Sequence, residues 1–175
     1  MLVERGLRVM NVEVVGDAYA IASNYLRRAG AIPDSERYLA VSKVEMLQML
    51  SDAEFWELAN AGKWTRVPKG KVIVKEEQAG QSFFFVAQGQ LKVTRQGHLL
   101  NMINERECFG EMAYIRGGEE PRHATVQAIT ELILAEFEPQ TLEKMSLEAQ
   151  LHLMRALVRN VVERLAMANT RIAGA

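Results

Sequence analysis

The chain of 175 residues has one cysteine, little net charge and no long apolar run. Its single cysteine, Cys108, excludes an internal disulfide and a zinc site made of cysteine clusters. Lys and Arg total 21 against 22 Asp and Glu, and this balance argues against a dedicated nucleic-acid binder. The apolar stretches are shorter than the roughly 18 residues of a membrane span, and the acidic N-terminal segment is unlike a secretory signal. A cytoplasmic globular protein is therefore expected.

Motifs for catalysis are missing as well. The histidines His98, His123 and His152 lie too far apart in sequence to form a metal-ligand motif. Neither a GxSxG nucleophile elbow nor a Walker-type phosphate loop occurs. Cys108 has no neighbour that would stabilise a thiolate, so it is interpreted as a small buried residue. The sequence thus predicts neither an enzyme nor a metal protein.

Helical patterns occupy the first third of the chain. Residues 17–30 carry apolar side chains at helical spacing, with Asp17 as the predicted N-cap. Ser42 and Ser51 each stand three residues before a glutamate, which is the capping-box spacing and predicts a helix that begins at each serine. Gly62 is the predicted C-cap of the later helix.

Short β-favouring runs fill the middle of the chain, with glycines between many of them. Such spacing is typical of a compact antiparallel barrel or sandwich. The run SFFFVA is apolar on both faces and is predicted to be a central strand, and a tight turn is predicted near Thr130. The predicted strands are KVIVKEE, SFFFVAQ, QLKVTRQ, HLLNMI, HATVQAI and ELILAEF.

The C-terminal zone is helical and carries a heptad repeat. Apolar residues recur at alternating steps of 4 and 3, a pattern that predicts pairing with a helix of another chain. An amphipathic helix that covers its own barrel is the alternative, and Leu157 and Val162 flank the repeat on a side suited to that role. The arginines of this helix are interpreted as a solvated face. The repeat, here called the seam, comprises Leu147, Leu151, Met154, Val158, Val161, Leu165, Ala168 and Ile172.

The segment CFGEMAYIRGGEEPRHATVQA, residues 108–128, carries the most specific signal. Gly110 precedes a short helical turn, whose free N–H groups favour a phosphate and whose glycine permits close approach. Arg122 offers a fork of donors that matches phosphate oxygens, and Glu111 is an acceptor suited to a sugar hydroxyl. A phosphate beside a sugar hydroxyl would satisfy both side chains; a simple pair between Glu111 and Arg122 is the structural alternative.

These blocks, Phe109-Gly110-Glu111-Met112-Ala113 and Pro121-Arg122-His123-Ala124-Thr125, resemble the phosphate-binding cassette of the cyclic nucleotide-binding domain family. The family includes the catabolite activator, the protein kinase A regulatory subunit and nucleotide-gated channels. The upstream run KGKVIVKEEQAGQSFFFVAQGQLKV also fits, and the resemblance covers roughly residues 50–165.

The resemblance implies an α+β fold, an antiparallel, jelly-roll-like β-roll of about eight strands with N-terminal helices and a long C-terminal helix. The expected divisions are a helical extension at 1–50, the nucleotide-binding roll at 51–145 and a lid or dimerisation helix at 146–175. It also implies that Glu111 accepts from the ribose 2′-hydroxyl and that Arg122 binds the cyclic phosphate. The expected ligand-binding residues are Gly110, Glu111, Met112, Ala113, Arg122, His123 and Ala124.

Two positions depart from the family pattern. His123 stands where the family has a small residue, and the alternatives for its imidazole are to point to solvent, to stack on the purine or to crowd it. Gln81 replaces the family's acidic residue after the turn glycine.

The expected function is that of a receptor for cAMP, or alternatively for cGMP, with no cofactor beyond this ligand. The expectation is a free-standing sensor module or regulatory subunit, without a DNA-binding domain, direct DNA contact or membrane contact, that signals to an unidentified effector protein. A homodimer through the C-terminal helix is expected. The rival function is a protein-interaction module that does not respond to nucleotide.

Overall fold

A computed structural model describes residues 31–118 and 120–173, with side chains described as far as residue 170. The helix predicted over residues 17–30 lies outside the described residues. The chain divides into two compact units, Met1–Pro33 and Asp34–Ala175. The second unit contains all the helices and strands described below.

From residue 31 onward, two α-helices and a 3₁₀ turn precede the strands. Helix α1 spans Asp34–Ser42, the 3₁₀ helix spans Glu45–Leu47, and α2 spans Asp52–Ala61. The capping box predicted at Ser51 is confirmed, because the Ser51 hydroxyl accepts from the Glu54 amide while the Glu54 carboxylate accepts from the Ser51 amide.

The helix predicted to begin at Ser42 is wrong. Ser42 is the last residue of α1, and its hydroxyl donates to the Leu39 carbonyl instead of capping a new helix. A 3₁₀ turn follows instead, and it buries Leu47, one of the apolar residues in the run that was predicted to be helical. Gly62 does follow α2 as its C-cap, in an extended rather than left-handed conformation.

Eight antiparallel strands form two four-stranded sheets, as the fold prediction required. The strands are β1 Lys63–Val67, β2 Val72–Val74, β3 Phe83–Gln88, β4 Leu91–Arg95, β5 His98–Ile103, β6 Cys108–Phe109, β7 Thr125–Ala128 and β8 Leu132–Phe137. The helix-side sheet has the order β1-β8-β3-β6, and the outer sheet has the order β2-β7-β4-β5.

Two of the eight strands were not predicted. β1 lacks an apolar alternation because Lys63 and Arg66 interrupt it, and β6 is only two residues long. The short connection at Thr130 joins β7 to β8, which belong to different sheets. Its conformation is held by the Gln90 amide, which donates to the Thr130 hydroxyl over 2.9 Å.

Strand β3 is central, and its alternating side chains serve two cores. Phe83 and Phe85 pack against the helices, whereas Phe84 and Val86 lie between the sheets. This explains why the run is apolar on both faces.

Three helices complete the unit: α3 Glu111–Ile115, α4 Pro139–Leu142 and α5 Leu147–Ala173. One stripe of α5 packs into the helix-side core, and it is not the seam. The buried stripe consists of Ala149, Leu153, Ala156 and Leu157. Leu157 thus faces the roll, as its flanking position suggested, but Val162 is exposed.

The predicted divisions at residues 50 and 145 stay predictions. Residues on both sides of each, Leu47 with Phe55 and Leu142 with Ala149, belong to one buried core.

Candidate functional site

A cavity of about 310 Å³ lies between the outer sheet, the segment 109–124 and α5. Its volume is at the lower end of the range usual for small-molecule sites. All seven residues singled out from the sequence line it: Gly110, Glu111, Met112, Ala113, Arg122, His123 and Ala124. The structure therefore brings the two sequence blocks together around one space.

Gly110 shapes the turn that opens α3. Its φ of 82° lies in the left-handed region, where glycine is favoured. A Cβ on Gly110 would lie 2.9 Å from the Arg122 Nη1 atom and 3.0 Å from the Ser82 carbonyl oxygen. Only glycine therefore allows both this turn and the close approach of the Arg122 guanidinium.

Arg122 is buried, with only 8% of its surface exposed. Its Nη2 donates to the Ser82 carbonyl over 2.7 Å, and its Nη1 lies 3.4 Å from the Gly110 carbonyl. Within residues 31–118 and 120–173 it makes no salt bridge. Burial lowers the pKa of Arg122, and the field of Glu136 only partly opposes this. A buried cation held by neutral carbonyls favours an anion in the adjoining cavity.

Glu111 does not pair with Arg122, so the structural alternative considered for this pair is not what the fold adopts. The Glu111 side chain is only 4% exposed, and its Oε1 accepts from Arg164 Nη1 over 3.0 Å. Arg164 Nη2 also donates to the Cys108 carbonyl over 2.7 Å. The interpretation of Arg164 as part of a solvated face is therefore wrong, because α5 carries it to the cavity.

Gln81, the departure from the family's acidic residue, is engaged elsewhere. Its Nε2 donates to the Gly117 carbonyl over 2.9 Å. A Cβ on Gly118 would lie 2.1 Å from the Gln81 side chain, so the glycine makes room for this contact. Gln81 thus ties the loop after α3 to the β2–β3 connection and supplies no negative charge.

His123 lies at the rim of the cavity with about half of its side chain exposed. Its Nε2 is 3.2 Å from Glu120 Oε2 and 3.4 Å from Arg116 Nη1. Arg116 and Glu120 also form a salt bridge with each other. The imidazole is thus held at the mouth by its own loop and is available to a ligand there.

Cys108 is buried, as the sequence indicated. Burial raises the pKa of its thiol, and the nearby Glu111 carboxylate adds to this. Asn160 Nδ2 lies 3.3 Å from its Sγ. The residue is therefore a packing element against α5 and not a nucleophile.

Sequence reasoning missed the wall formed by β5 and the contact that Arg164 of α5 makes with Glu111. Leu100 and Asn101 line the cavity, and Leu100 is exposed there. The signal for Arg164 was its spacing, seven residues after the buried Leu157 on the same helical face. Among the described residues no cluster of three metal-ligating side chains occurs, and no described helix has the length and apolar character needed to cross a bilayer.

A two-sheet roll with such a cavity is typical of a ligand-binding domain. Comparison with known proteins supports this interpretation. Residues 64–148 match the cyclic nucleotide-binding domain family. A solved cyclic nucleotide-binding domain from Methylobacillus flagellatus superposes with a TM-score of 0.69 and 17% identity, covering 81% of this chain and 83% of that one.

Two curated relatives each match about half of the chain. The cAMP-dependent protein kinase regulatory subunit of Debaryomyces hansenii is 36% identical over 93 residues, which are 53% of this chain and 20% of that protein. The cGMP-dependent protein kinase egl-4 of Caenorhabditis elegans is 34% identical over 95 residues, which are 54% of this chain and 12% of that protein. The chain thus spans a fifth or less of the length of these two relatives.

Residues 64–148 therefore carry a cyclic nucleotide-binding domain, in agreement with the resemblance seen in the sequence. Domains of this family are regulatory sensor modules that bind cAMP or cGMP as ligands. This agrees with the ligand class expected from the sequence.

Proposed function

We propose that this chain is a non-enzymatic receptor whose cavity binds a cyclic mononucleotide, with cAMP as the first ligand and cGMP as the alternative. The observation that carries this is Arg122, a buried guanidinium without a salt bridge in the described part of the chain, at the wall of a ligand-sized cavity. The cyclic phosphate provides the anion that Arg122 lacks, and its oxygens match the guanidinium fork.

The remaining site residues each contact a different part of the ligand. Glu111 accepts from the ribose 2′-hydroxyl, and the backbone at Gly110, Ala113 and Ala124 approaches the ligand closely. Met112 forms part of the wall. His123 faces the purine. Because it has no hydroxyl group to contact guanine, cAMP is proposed ahead of cGMP as the ligand.

The effect of ligand binding is transmitted through α5. Its Asn160 and Arg164, one turn apart, both contact the segment that carries Glu111. Ligand in the cavity shifts the population toward the arrangement in which this part of the helix is docked. As a regulatory subunit for an intracellular messenger, the protein acts in the cytoplasm on an effector protein that remains to be identified.

The seam of α5 is the proposed homodimer interface. Leu151, Val158 and Leu165 are exposed although they keep a strict heptad spacing, while a different stripe packs on the roll. A second copy offers the same seam, so two helices can bury it by knobs-into-holes packing.

The exposed seam also favours the rival function, a protein-interaction module that does not bind nucleotide. The two functions are separated by thermal unfolding of the full chain with and without cAMP and cGMP. A ligand at 100 times its Kd adds about 2.7 kcal/mol, which raises Tm by roughly 5–10 °C for a chain of this size.

Non-cyclic 5′-AMP is the matched control ligand, and Arg122→Ala is the control variant. A Tm that no cyclic mono- or dinucleotide of a panel raises, in a chain that unfolds cooperatively, would favour the interaction module instead.

A further inference from the structure

Glu111 has two carboxylate oxygens with different surroundings. Oε1 accepts from Arg164, whereas no hydrogen bond to Oε2 occurs within the described part of the chain. A carboxylate can accept several hydrogen bonds at once. The Arg164 contact therefore leaves one oxygen for the sugar hydroxyl and fixes the direction in which it points.

Arg164 also balances charge in the cavity. The ligand brings a negative phosphate into a space that already contains the buried Glu111 carboxylate. Without a cation beside Glu111, an unpaired buried charge would face that phosphate. The Arg164 guanidinium lies on α5 and reaches the carboxylate across 53 residues of sequence.

We propose that Arg164 is a positioning residue that holds Glu111 for the ribose 2′-hydroxyl and thereby makes docking of the C-terminal helix depend on the sugar of the ligand. This inference rests on the proposed function. Because coupling is reciprocal, the factor by which Arg164 strengthens recognition of the hydroxyl equals the factor by which the hydroxyl strengthens the Arg164 contact.

The test compares affinities for cAMP and 2′-deoxy-cAMP, measured by calorimetry on the full chain. The wild type should prefer cAMP, and Arg164→Met should reduce the preference by roughly fivefold or more. Arg164→Lys, which keeps the charge but not the fork, should restore part of it. Arg159→Met is the matched control, because Arg159 lies on the same helix with 75% of its side chain exposed.

A double-mutant cycle separates positioning from a general effect on folding. In the Glu111→Ala background, Arg164→Met should leave the cAMP to 2′-deoxy-cAMP ratio unchanged, because the side chain through which Arg164 acts is gone. Hydrogen exchange gives the reciprocal readout: cAMP should slow exchange of amides near Arg164 more than 2′-deoxy-cAMP does, at equal saturation.

The outcomes are distinct. If the wild type binds both nucleotides and Arg164→Met weakens both by the same factor, Arg164 supports only the fold and the inference is overturned. It is equally overturned if Arg164→Met raises the preference for cAMP, since Arg164 would then compete with the ribose. A folded wild type that binds neither nucleotide overturns the proposed function, and the inference with it.

Discussion

At the scale of single residues, Arg122 has the least compensated charge in the cavity. Two carbonyls accept from its guanidinium but do not neutralise it, and Gln81 supplies no carboxylate where the family has one. Gly80 and Gly110 both leave room for the guanidinium, since a Cβ at either would come within about 3 Å of it. The two glycines and the two carbonyls thus accommodate the buried Arg122 guanidinium at the cavity wall.

Arg122→Ala is expected to weaken cAMP binding on the order of tenfold or more, because charge-assisted hydrogen bonds contribute about 1.5–3 kcal/mol each. Glu111→Ala should weaken binding as well. Calorimetry measures both affinities, with circular dichroism to check folding. Wild-type affinity in both variants would contradict the assignment of the site.

His123→Thr is expected to shift the ratio of cGMP to cAMP affinity toward cGMP. A threonine restores the small hydroxyl side chain of the family, while Arg122 and its phosphate contact are kept. Both nucleotides are titrated against both proteins. An unchanged ratio would mean that the imidazole, already held by Glu120 and Arg116, points away from the base.

At the scale of elements, hydrogen bonds attach α5 to the rest of the domain at two places. Near its start, Glu57 of α2 accepts from the Ser146 amide over 2.6 Å and from the Ser146 hydroxyl over 2.9 Å. Further along the helix, Glu54 Oε1 lies 2.8 Å from His152 Nδ1. The second place is the contact of Asn160 and Arg164 with the cavity wall. The first attachment is independent of the ligand site, so it can serve as a fixed end.

Glu54 links this fixed end to pH. Burial opposes ionisation of Glu54, but hydrogen bonds from the Ser51 amide and from His152 outweigh it and lower the pKa of Glu54. A carboxyl whose folded pKa is depressed contributes stability above its unfolded value of about 4.5, and this is lost as pH falls through the folded pKa.

Glu54→Gln is therefore expected to cost about 1 kcal/mol or more at pH 7, and the difference from wild type should shrink as the pH approaches 3. Urea denaturation at pH 7, 5, 4 and 3 measures the free energy of unfolding. Glu45→Gln, at an exposed position, is the control. A difference that stays constant with pH would show that the ionised form of Glu54 does not contribute.

At the scale of the whole molecule, α5 carries two apolar stripes with different tasks. Leu153 and Leu157 complete the helix-side core, whereas Val158 and Leu165 of the seam remain exposed. Because the stripes share one rigid helix, a change in how α5 docks on the cavity moves the seam as well. Dimer geometry and ligand binding are thus expected to be coupled.

Replacing Val158 and Leu165 together by Glu is expected to give a monomer with altered nucleotide affinity, because buried like charges oppose pairing of the seam. Met167→Glu is the control, since Met167 is exposed but lies outside the seam. Light scattering of the wild type with and without cAMP measures the mass. A wild-type monomer in both conditions at tens of micromolar would refute the dimer and leave α5 only its contact with the cavity.

Local spacing was enough for the features whose partners lie near in sequence. The capping box of Ser51 and Glu54 spans three residues, and the turn at Gly110 depends on its own φ. The apolar character of both faces of strand β3 predicted its central place in the sheet. The seven cavity residues come from two short blocks, so their resemblance to one family identified them together, although their roles in binding stay predictions.

The sequence by itself therefore determined the family, the antiparallel roll and the two blocks that meet at the cavity. Only the tertiary structure decided which stripe of α5 meets the roll, since both stripes repeat with nearly the same period and local pattern cannot rank them. It also decided the partners of Glu111, because Arg164 is 53 residues away and no local rule relates their positions. Contacts of that range depend on how the helix packs on the folded roll, and this is settled by burial of Leu153 and Leu157 in a core that forms only when all its elements meet.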